Sequence, residues 1–352
     1  MSIEPLPVSG QESRSRTEAL LRTLHGSRRL LVLTHTNPDP DSMASAMGLR
    51  LLVQEKLGLP SVFGLSGQVL RAENKEMVRV LRYDLAPLES LDLDAFDCLA
   101  LVDTQPGFGH THLPAGRVLD VVIDHHVPPP ASAQPGPTVR FHDVRTEIGA
   151  TSSMVAGYLM DAGVHLTPEV ATGLFYGIKT DTADLSRNAS PLDSRAYEFL
   201  LSRVDRQQLA AIHAPDVPLE YFQALRAALN NIRIYGDVVL CTLGRTTNPE
   251  MVAEVADLLK RLEGKRAVFC GGLVGDRYQV SVRTEPDGID AYTLIRGALG
   301  GEGSFGGHGA VAGGSILLRD PSMRGLRRLE RRLEKNILKT AGVDSRSVGG
   351  LG

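Results

Sequence analysis

Three short apolar runs in the first part of the chain each end in a cluster of acidic or imidazole side chains. Leu30-Leu31-Val32-Leu33-Thr34 leads into His35-Thr36-Asn37-Pro38-Asp39-Pro40-Asp41, and Cys98-Leu99-Ala100-Leu101-Val102 leads into Asp103. Leu119-Asp120-Val121-Val122-Ile123 leads into Asp124-His125-His126. From Arg29 to about Asp205 such runs alternate with helical stretches, the signature of a parallel sheet with crossover helices. The pattern predicts strands over 61–65, 98–102 and 118–123, and helices over 17–24, 42–57, 150–161, 167–180 and 192–203. Ligand-binding residues collect outside the carboxyl ends of parallel strands, so the clusters can be delivered to one crevice.

Proline at 128–130 and the Ser/Ala/Gln/Pro/Gly stretch 132–137 predict a loop, because proline lacks an amide donor and fixes φ. The segment His213-Ala214-Pro215-Asp216-Val217-Pro218 breaks the chain before a helix over 219–230, and a strand-rich pattern begins at Tyr235. It reads strand 237–243, helix 249–262, strand 266–274, hairpin turn, strand 278–283 and helix 291–299. A glycine-rich loop over 300–309, a strand over 315–318 and a basic helix over 321–340 follow. No internal repeat is evident. The expected organisation is a flexible tail 1–16, a first domain 17–210, a linker helix 211–234, a second domain 235–345 and a tail 346–352. The class is α/β.

A chain of 352 residues with 42% hydrophobic content can build two cores. Its net charge of −3 supplies no global field for holding long nucleic-acid duplexes by their phosphates. The cysteines Cys98, Cys241 and Cys270 sit in apolar stretches with no metal or disulfide spacing and read as buried hydrophobes. No signal-peptide pattern or membrane-spanning run is seen, so a cytoplasmic location and no membrane partner are expected.

Carboxylates with one or two imidazoles suit Mn²⁺, and secondarily Mg²⁺ or Fe²⁺, rather than structural zinc. Two cations roughly 3.5–4 Å apart clamp the attacking and leaving oxygens of a phosphoryl displacement, which requires a bridging carboxylate. Asp39 and Asp41, two apart on a turn, can face different metals. Asp103 on the neighbouring strand end is the natural bridge, and Asp181 in Thr180-Asp181-Thr182 can complete the coordination of the second metal. Taken singly these segments have plain readings, since Asn-Pro-Asp-Pro-Asp is also a turn and helix-cap sequence. Jointly they point to a two-metal site. His110 and His112 read as ordinary loop residues. Arg324, Arg327, Arg328, Arg331, Arg332 and Lys335 read as a solvated helix face.

These motifs resemble the DHH phosphoesterase family: H-x-N-P-D-x-D at 35–41, the strand-end Asp103, the DHH triplet at 124–126 and T-D-T at 180–182. Residues 305–313 resemble the G-G-G-H-x-x-A-A-G signature of the first type of DHH-associated domain. The resemblance implies a parallel-sheet DHH domain with flanking helices, a smaller α/β DHH-associated domain and an active-site cleft between them. It implies His35, Asp39 and Asp103 on one Mn²⁺ and Asp41, Asp103, His125 and Asp181 on the other. Asp124 then orients a ligand, His126 faces the scissile phosphate, and a metal-bridging hydroxide is the nucleophile. Arg283 and His308 are implied to grip the phosphate and base of a short nucleotide. The strand from Ser281 and the glycine backbone at Gly306 and Gly307 suit the same task from their residue types, and Arg71, in the loop 67–72, can reach the cleft. Phe305, Val311 and Ala183 depart from the family's usual glycine, alanine and glycine.

The expected activity is of the nano-RNase type, hydrolysing short single-stranded RNA or DNA oligonucleotides or linear dinucleotides to mononucleotides. Removal of the 3′-phosphate from 3′,5′-bisphosphorylated adenosine is a further expectation. The alternatives are a cyclic dinucleotide (c-di-AMP) phosphodiesterase and a non-catalytic nucleotide sensor, which would be expected to have lost a metal ligand. A processive exonuclease would need an added oligonucleotide-binding module and a basic channel. Homodimerisation is expected from the resemblance alone.

Overall fold

The computed structural model describes residues 10–114, 117–127, 138–285, 288–344 and 349, without the side chains of 10–13 and His308. The expected tail residues 1–9, the proline-rich stretch 128–137 and all of the tail 346–352 except Gly349 lie outside the described residues. The chain divides into two units, Met1–Pro215 and Asp216–Gly352.

The first unit contains α1 (Gly10–Leu24), β1 (Leu30–Leu33), α2 (Pro40–Leu57), β2 (Ser61–Leu65), α3 (Ala72–Val80), β3 (Leu85–Pro87), β4 (Cys98–Val102), β5 (Leu119–Asp124) and β6 (Val139–Val144). Then come α4 (Thr151–Asp161), α5 (Pro168–Asp181), α6 (Pro191–Leu201) and α7 (Arg206–His213). Its sheet is parallel throughout, in the order β3-β2-β1-β4-β5-β6. The direction of winding reverses between β1 and β4, and such a switch point leaves a crevice at the strand ends.

Side chains alternate across this sheet with the two-residue period of a strand. Leu30, Val32, Cys98, Ala100, Val102, Val121 and Ile123 join the large helix-covered core. Leu31, Leu33, Leu99, Leu101 and Val122 meet Phe96, Leu88, Leu91 and Leu93 on the other face. Helix α2 is buried along most of its first three turns, from Asp41 to Val53. It begins on an Asp39 cap with Pro40 at its first position, two residues before the expected start at 42, and ends at Gly58 in the left-handed conformation.

The first unit departs from expectation at its start and in elements that were not foreseen. Residues 10–16, placed in a loose tail, continue α1 toward its start, and Arg16 pairs with buried Asp143 at 2.9 Å. Elements α3, β3, β6 and α7, which the apolar pattern did not announce, complete the unit.

The second unit contains α8 (Leu219–Asn230), β7 (Arg233–Tyr235), β8 (Val238–Arg245), α9 (Glu250–Leu259), β9 (Ala267–Val274), β10 (Arg277–Thr284), α10 (Ala291–Leu299), β11 (Ser304–His308), β12 (Val311–Leu317) and α11 (Met323–Ala341). Its sheet runs β11-β12-β10-β9-β8-β7, and only β8 and β9 pair in parallel. Helices α10 and α11 cover one face and α8 and α9 the other, with Val238 and Leu240 facing one way and Val239 and Cys241 the other. The expected linker helix is thus part of this unit's core, through Ala228 and its neighbours. Cys98, Cys241 and Cys270 are buried free thiols. Among the described residues no helix is long and apolar enough to cross a membrane.

The glycine-rich segment expected to be a loop forms strand β11 and a tight turn into β12. Glycine is needed there for packing. A Cβ on Gly307, at φ +144°, would stand 2.4 Å from both Ala312 Cα and Val311 O, whereas one on Gly306 would meet nothing within 4 Å. Gly307→Ala is therefore expected to destabilise the second unit by about 1–3 kcal/mol, and Gly306→Ala by less than about 0.5 kcal/mol. Urea unfolding followed by circular dichroism checks the pair, and equal midpoints would refute the packing account.

Candidate metal centre

The clusters that end β1, β4 and β5 converge. Asp39 caps α2, its Oδ1 accepting Ser42 N at 2.9 Å. Asp41 lies one residue inside that helix and is met by the start of α4, with Thr151 N on Oδ2 and Ser152 N on Oδ1, both at 2.8 Å. Gly177 lets α5 come this close, since a Cβ there would lie 2.4 Å from Ser152 Oγ and 3.2 Å from Asp41 Oδ1. Asp103 follows β4 with φ +59°, a left-handed turn that aspartate tolerates better than most residues. Its amide continues the ladder to Ile123 O at 2.9 Å.

The carboxylate of Asp103 faces two directions. Oδ2 lies 3.7 Å from His35 Nε2, and Oδ1 lies 3.6 Å from His125 Nε2 and accepts Thr151 Oγ1 at 2.8 Å. Two ligand sets follow, His35 with Asp39 and Asp103, and Asp41 with His125 and Asp181. A third grouping of Asp103 with His125 and His126 is also close, but His126 Nδ1 is already committed to Asp124 Oδ1 at 2.8 Å. His35 Nδ1 donates to Thr36 O and His125 Nδ1 to Ile148 O, each at 3.1 Å, which turns both Nε2 lone pairs inward.

Charge is crowded here beyond what the chain alone balances. Burial, followed by the charges of Asp41, Asp39, Asp124 and Asp181, holds the Asp103 carboxyl well above its usual range. Burial and then Asp181 push Asp41 up to about 7. Burial works to lower His125, but Asp181 and Asp41 outweigh it and raise the imidazole to about 9. His35 is raised against its burial by Asp39, which is itself lowered against burial by His35. His125 Nε2 is buried and 3.1 Å from Asp181 Oδ2, with no other hydrogen-bond partner among the described residues. An inward lone pair among clustered carboxylates is the donor set of divalent cations such as Mn²⁺, Mg²⁺ or Fe²⁺.

Residues 29–178 match the DHH family, N-terminal domain, and residues 236–335 match the DHHA1 domain. The chain belongs to the DHH family. An uncharacterized protein of Methanocaldococcus jannaschii is 35% identical over 291 residues, 82% of this chain and 58% of that one. The A-adding tRNA nucleotidyltransferase of Aquifex aeolicus is 25% identical over 261 residues, 72% of this chain and 26% of that one. This DHH protein thus spans less than two thirds of the length of these curated relatives. An exopolyphosphatase-related protein from Bacteroides fragilis shares the fold, with TM-score 0.70 and 15% identity over 96% of this chain and 99% of that one. So does RecJ from Thermus thermophilus in complex with Mn²⁺, with TM-score 0.51 and 15% identity over 96% of this chain and 56% of that one. At 15% identity these two solved structures show a shared fold.

The other expected site residues of this DHH protein are not members of the ligand groupings. Arg71 is the residue before α3, and its charge bears on Tyr176. Ser281, Arg283, Gly306 and Gly307 are in the second unit, and the side chain of His308 is outside the described parts. Arg283 is turned inward, its Nε on Asp257 at 2.5 Å and its Nη1 donating to Ser281 Oγ at 3.0 Å and Val282 O at 3.1 Å.

Two supporting residues went unread in the sequence. Gln105 Nε2 donates to Asp124 Oδ2 at 2.7 Å and to His126 O at 2.8 Å. Asp193 Oδ2 accepts Gly149 N at 2.8 Å, fixing the loop whose Ile148 carbonyl orients His125. Asp193 belongs to a Ser190 capping box, a local role that hides the distant one.

Ala183, where the family favours glycine, has φ +48°. Ala183→Gly is expected to leave folding stability unchanged or raise it by up to about 1 kcal/mol, read from denaturant midpoints. A loss of that size would show that alanine is unstrained there.

Folded Asp41 and Asp103 hold protons above 3.8, and His35 and His125 above 6.5, where the unfolded chain has released them. Without divalent cations, the stability these groups confer is present at low pH and lost as pH climbs through about 7 for Asp41 and about 9 for His125. Cations compete with those protons, so stabilisation by Mn²⁺ grows across the same window. Melting in EDTA and in Mn²⁺ between pH 5 and 9 checks this. A cation-induced shift that shrinks with rising pH would contradict it.

Proposed function

We propose that this protein is a nano-RNase-type hydrolase that uses two Mn²⁺ ions to cleave short oligonucleotides or linear dinucleotides to mononucleotides. We include 3′,5′-bisphosphorylated adenosine among its substrates. The observation that carries the reading is the Asp103 carboxylate, with one oxygen toward His35 and the other toward His125. A carboxylate between two ligand sets is what a paired-cation centre for phosphoryl transfer requires. The cations, when bound, supply Lewis-acid polarisation of the phosphoryl group and activation of water.

The chain's own residues supply position and proton control. His35, Asp39 and Asp103 hold one cation, and Asp41, Asp103, His125 and Asp181 the other. Asp124 accepts from His126 Nδ1 and from the amide of His125, so it steers one residue that meets substrate and one that meets metal. His126, half-exposed and with Nε2 unused by Asp124, is the group we assign to the scissile phosphate; in its protonated form it donates to a phosphoryl oxygen. Short substrates fit a chain whose first 215 residues carry 25 Asp and Glu against 19 Lys and Arg, a balance that does not retain a long phosphate backbone.

The test is hydrolysis, with Mn²⁺, of a linear dinucleotide, a cyclic dinucleotide, bisphosphorylated adenosine and pyrophosphate. The linear dinucleotide is expected to turn over fastest. Asp103→Ala is expected to lose on the order of 10³-fold or more in kcat, and Asp124→Asn about 10–100-fold. Preference for pyrophosphate, or an undiminished Asp103→Ala, would refute the reading.

A further inference from the structure

We propose that Phe108 and His110 form a nucleobase-stacking platform beside the metal centre. The proposal rests on the reading of the substrate as a nucleotide. The two rings are stacked, with centroids 5.4 Å apart and planes 10° from parallel. His110 is exposed and Phe108 half-buried, in a chain where aromatic residues are only 5% of the total and none is tryptophan. Their position singles them out: Phe108 is edge-to-face with His126 at 6.2 Å, and His110 is edge-to-face with His35 at 5.6 Å.

The loop carrying them is fastened to the metal-binding segment. Thr36 N donates to His110 O at 2.7 Å, His35 bridges to Thr111, and the Thr104 and Thr111 hydroxyls share a short hydrogen bond. His112, two residues on, shares hydrogen bonds with Thr36 Oγ1 and Ser66 Oγ, each at 3.2 Å. The strand-to-loop connection thus sets the rings in place ahead of any ligand. Ordering aromatic side chains in advance is what makes stacking favourable.

A nucleotide whose phosphate lies at His126 has its base within one sugar of these rings. Stacking tolerates every base because every base has a π-face. The platform therefore makes the enzyme select for a base next to the scissile phosphate without selecting which base.

The experiment compares a linear dinucleotide with its abasic counterpart in wild type, His110→Ala and His110→Phe. It adds quenching of a 2-aminopurine dinucleotide bound in the presence of Ca²⁺. Wild type is expected to prefer the base-bearing substrate by roughly 5- to 100-fold in kcat/KM, mostly through KM, and to quench 2-aminopurine. His110→Ala should collapse the preference and the quenching, and His110→Phe should keep both, because a phenyl ring stacks but cannot exchange a proton. Full preference in His110→Ala, or loss in His110→Phe equal to that in His110→Ala, overturns the platform. Quenching without hydrolysis of any dinucleotide would uphold the platform and refute the proposed activity. Hydrolysis with neither quenching nor preference would do the reverse.

Discussion

Everything in the first unit is arranged around one electrostatic burden, the gathering of Asp39, Asp41, Asp103, Asp124 and Asp181 near a buried carboxylate that is 2% exposed. Like charges brought together in a water-poor site raise one another's proton affinity, and an ordinary core would exclude them. The fold holds them with parts that are locally cheap. Strand ends at a switch point deliver His35, Asp39 and Asp103 from neighbouring strands β1 and β4, and His125 from β5. Helix α4 turns two amides onto Asp41, where its positive end acts in the same sense. What these amides leave uncompensated is the charge for which divalent cations have affinity.

The imidazoles are set with the same economy. Each of His35, His125 and His126 has Nδ1 occupied by an acceptor, respectively a neighbouring carbonyl, the Ile148 carbonyl and the Asp124 carboxylate. That assignment fixes tautomer and ring direction together. It also separates roles that the sequence leaves adjacent. His125, oriented by a carbonyl, directs Nε2 toward Asp103 and Asp181, whereas His126 is held through Nδ1 on the Asp124 carboxylate.

Much of this was legible because three of the four site clusters end short, mainly apolar runs, and a buried parallel strand followed by unshielded acids has few innocent readings. The strands that escaped notice lacked such runs. Strand β6 carries Arg140, His142 and Asp143 among six residues. Asp143 points inward at 3% exposure, tolerated because Arg16, Arg145 and Tyr158 all reach it, from 127, 2 and 15 residues away. A strand at the sheet edge with an inward charge reads as loop until its partners are known. Gln105 was invisible for a related reason: nothing in Asp103-Thr104-Gln105 shows that an amide two residues past a strand will join Asp124 to the His126 carbonyl.

The glycine-histidine signature shows where a motif admits two physical explanations. Glycine permits close approach of an anion to backbone amides, and it equally permits close approach of one strand to another. At Gly307, Gly314 and Gly303 the neighbour at 2.2–2.7 Å from an added Cβ is β11 or β12 itself, so packing alone requires those three glycines. Gly306 meets nothing, so its lack of a side chain answers no packing demand and is free to answer a ligand. Arg283 poses the converse case. With Asp257, Ser281 and the Val282 carbonyl already on Nε and Nη1, a phosphate held at those two nitrogens would have to displace a carboxylate. Exchange of one anion for another conserves the local charge balance, whereas adding a second would not, so Asp257 becomes the residue whose position decides whether Arg283 is structural or functional.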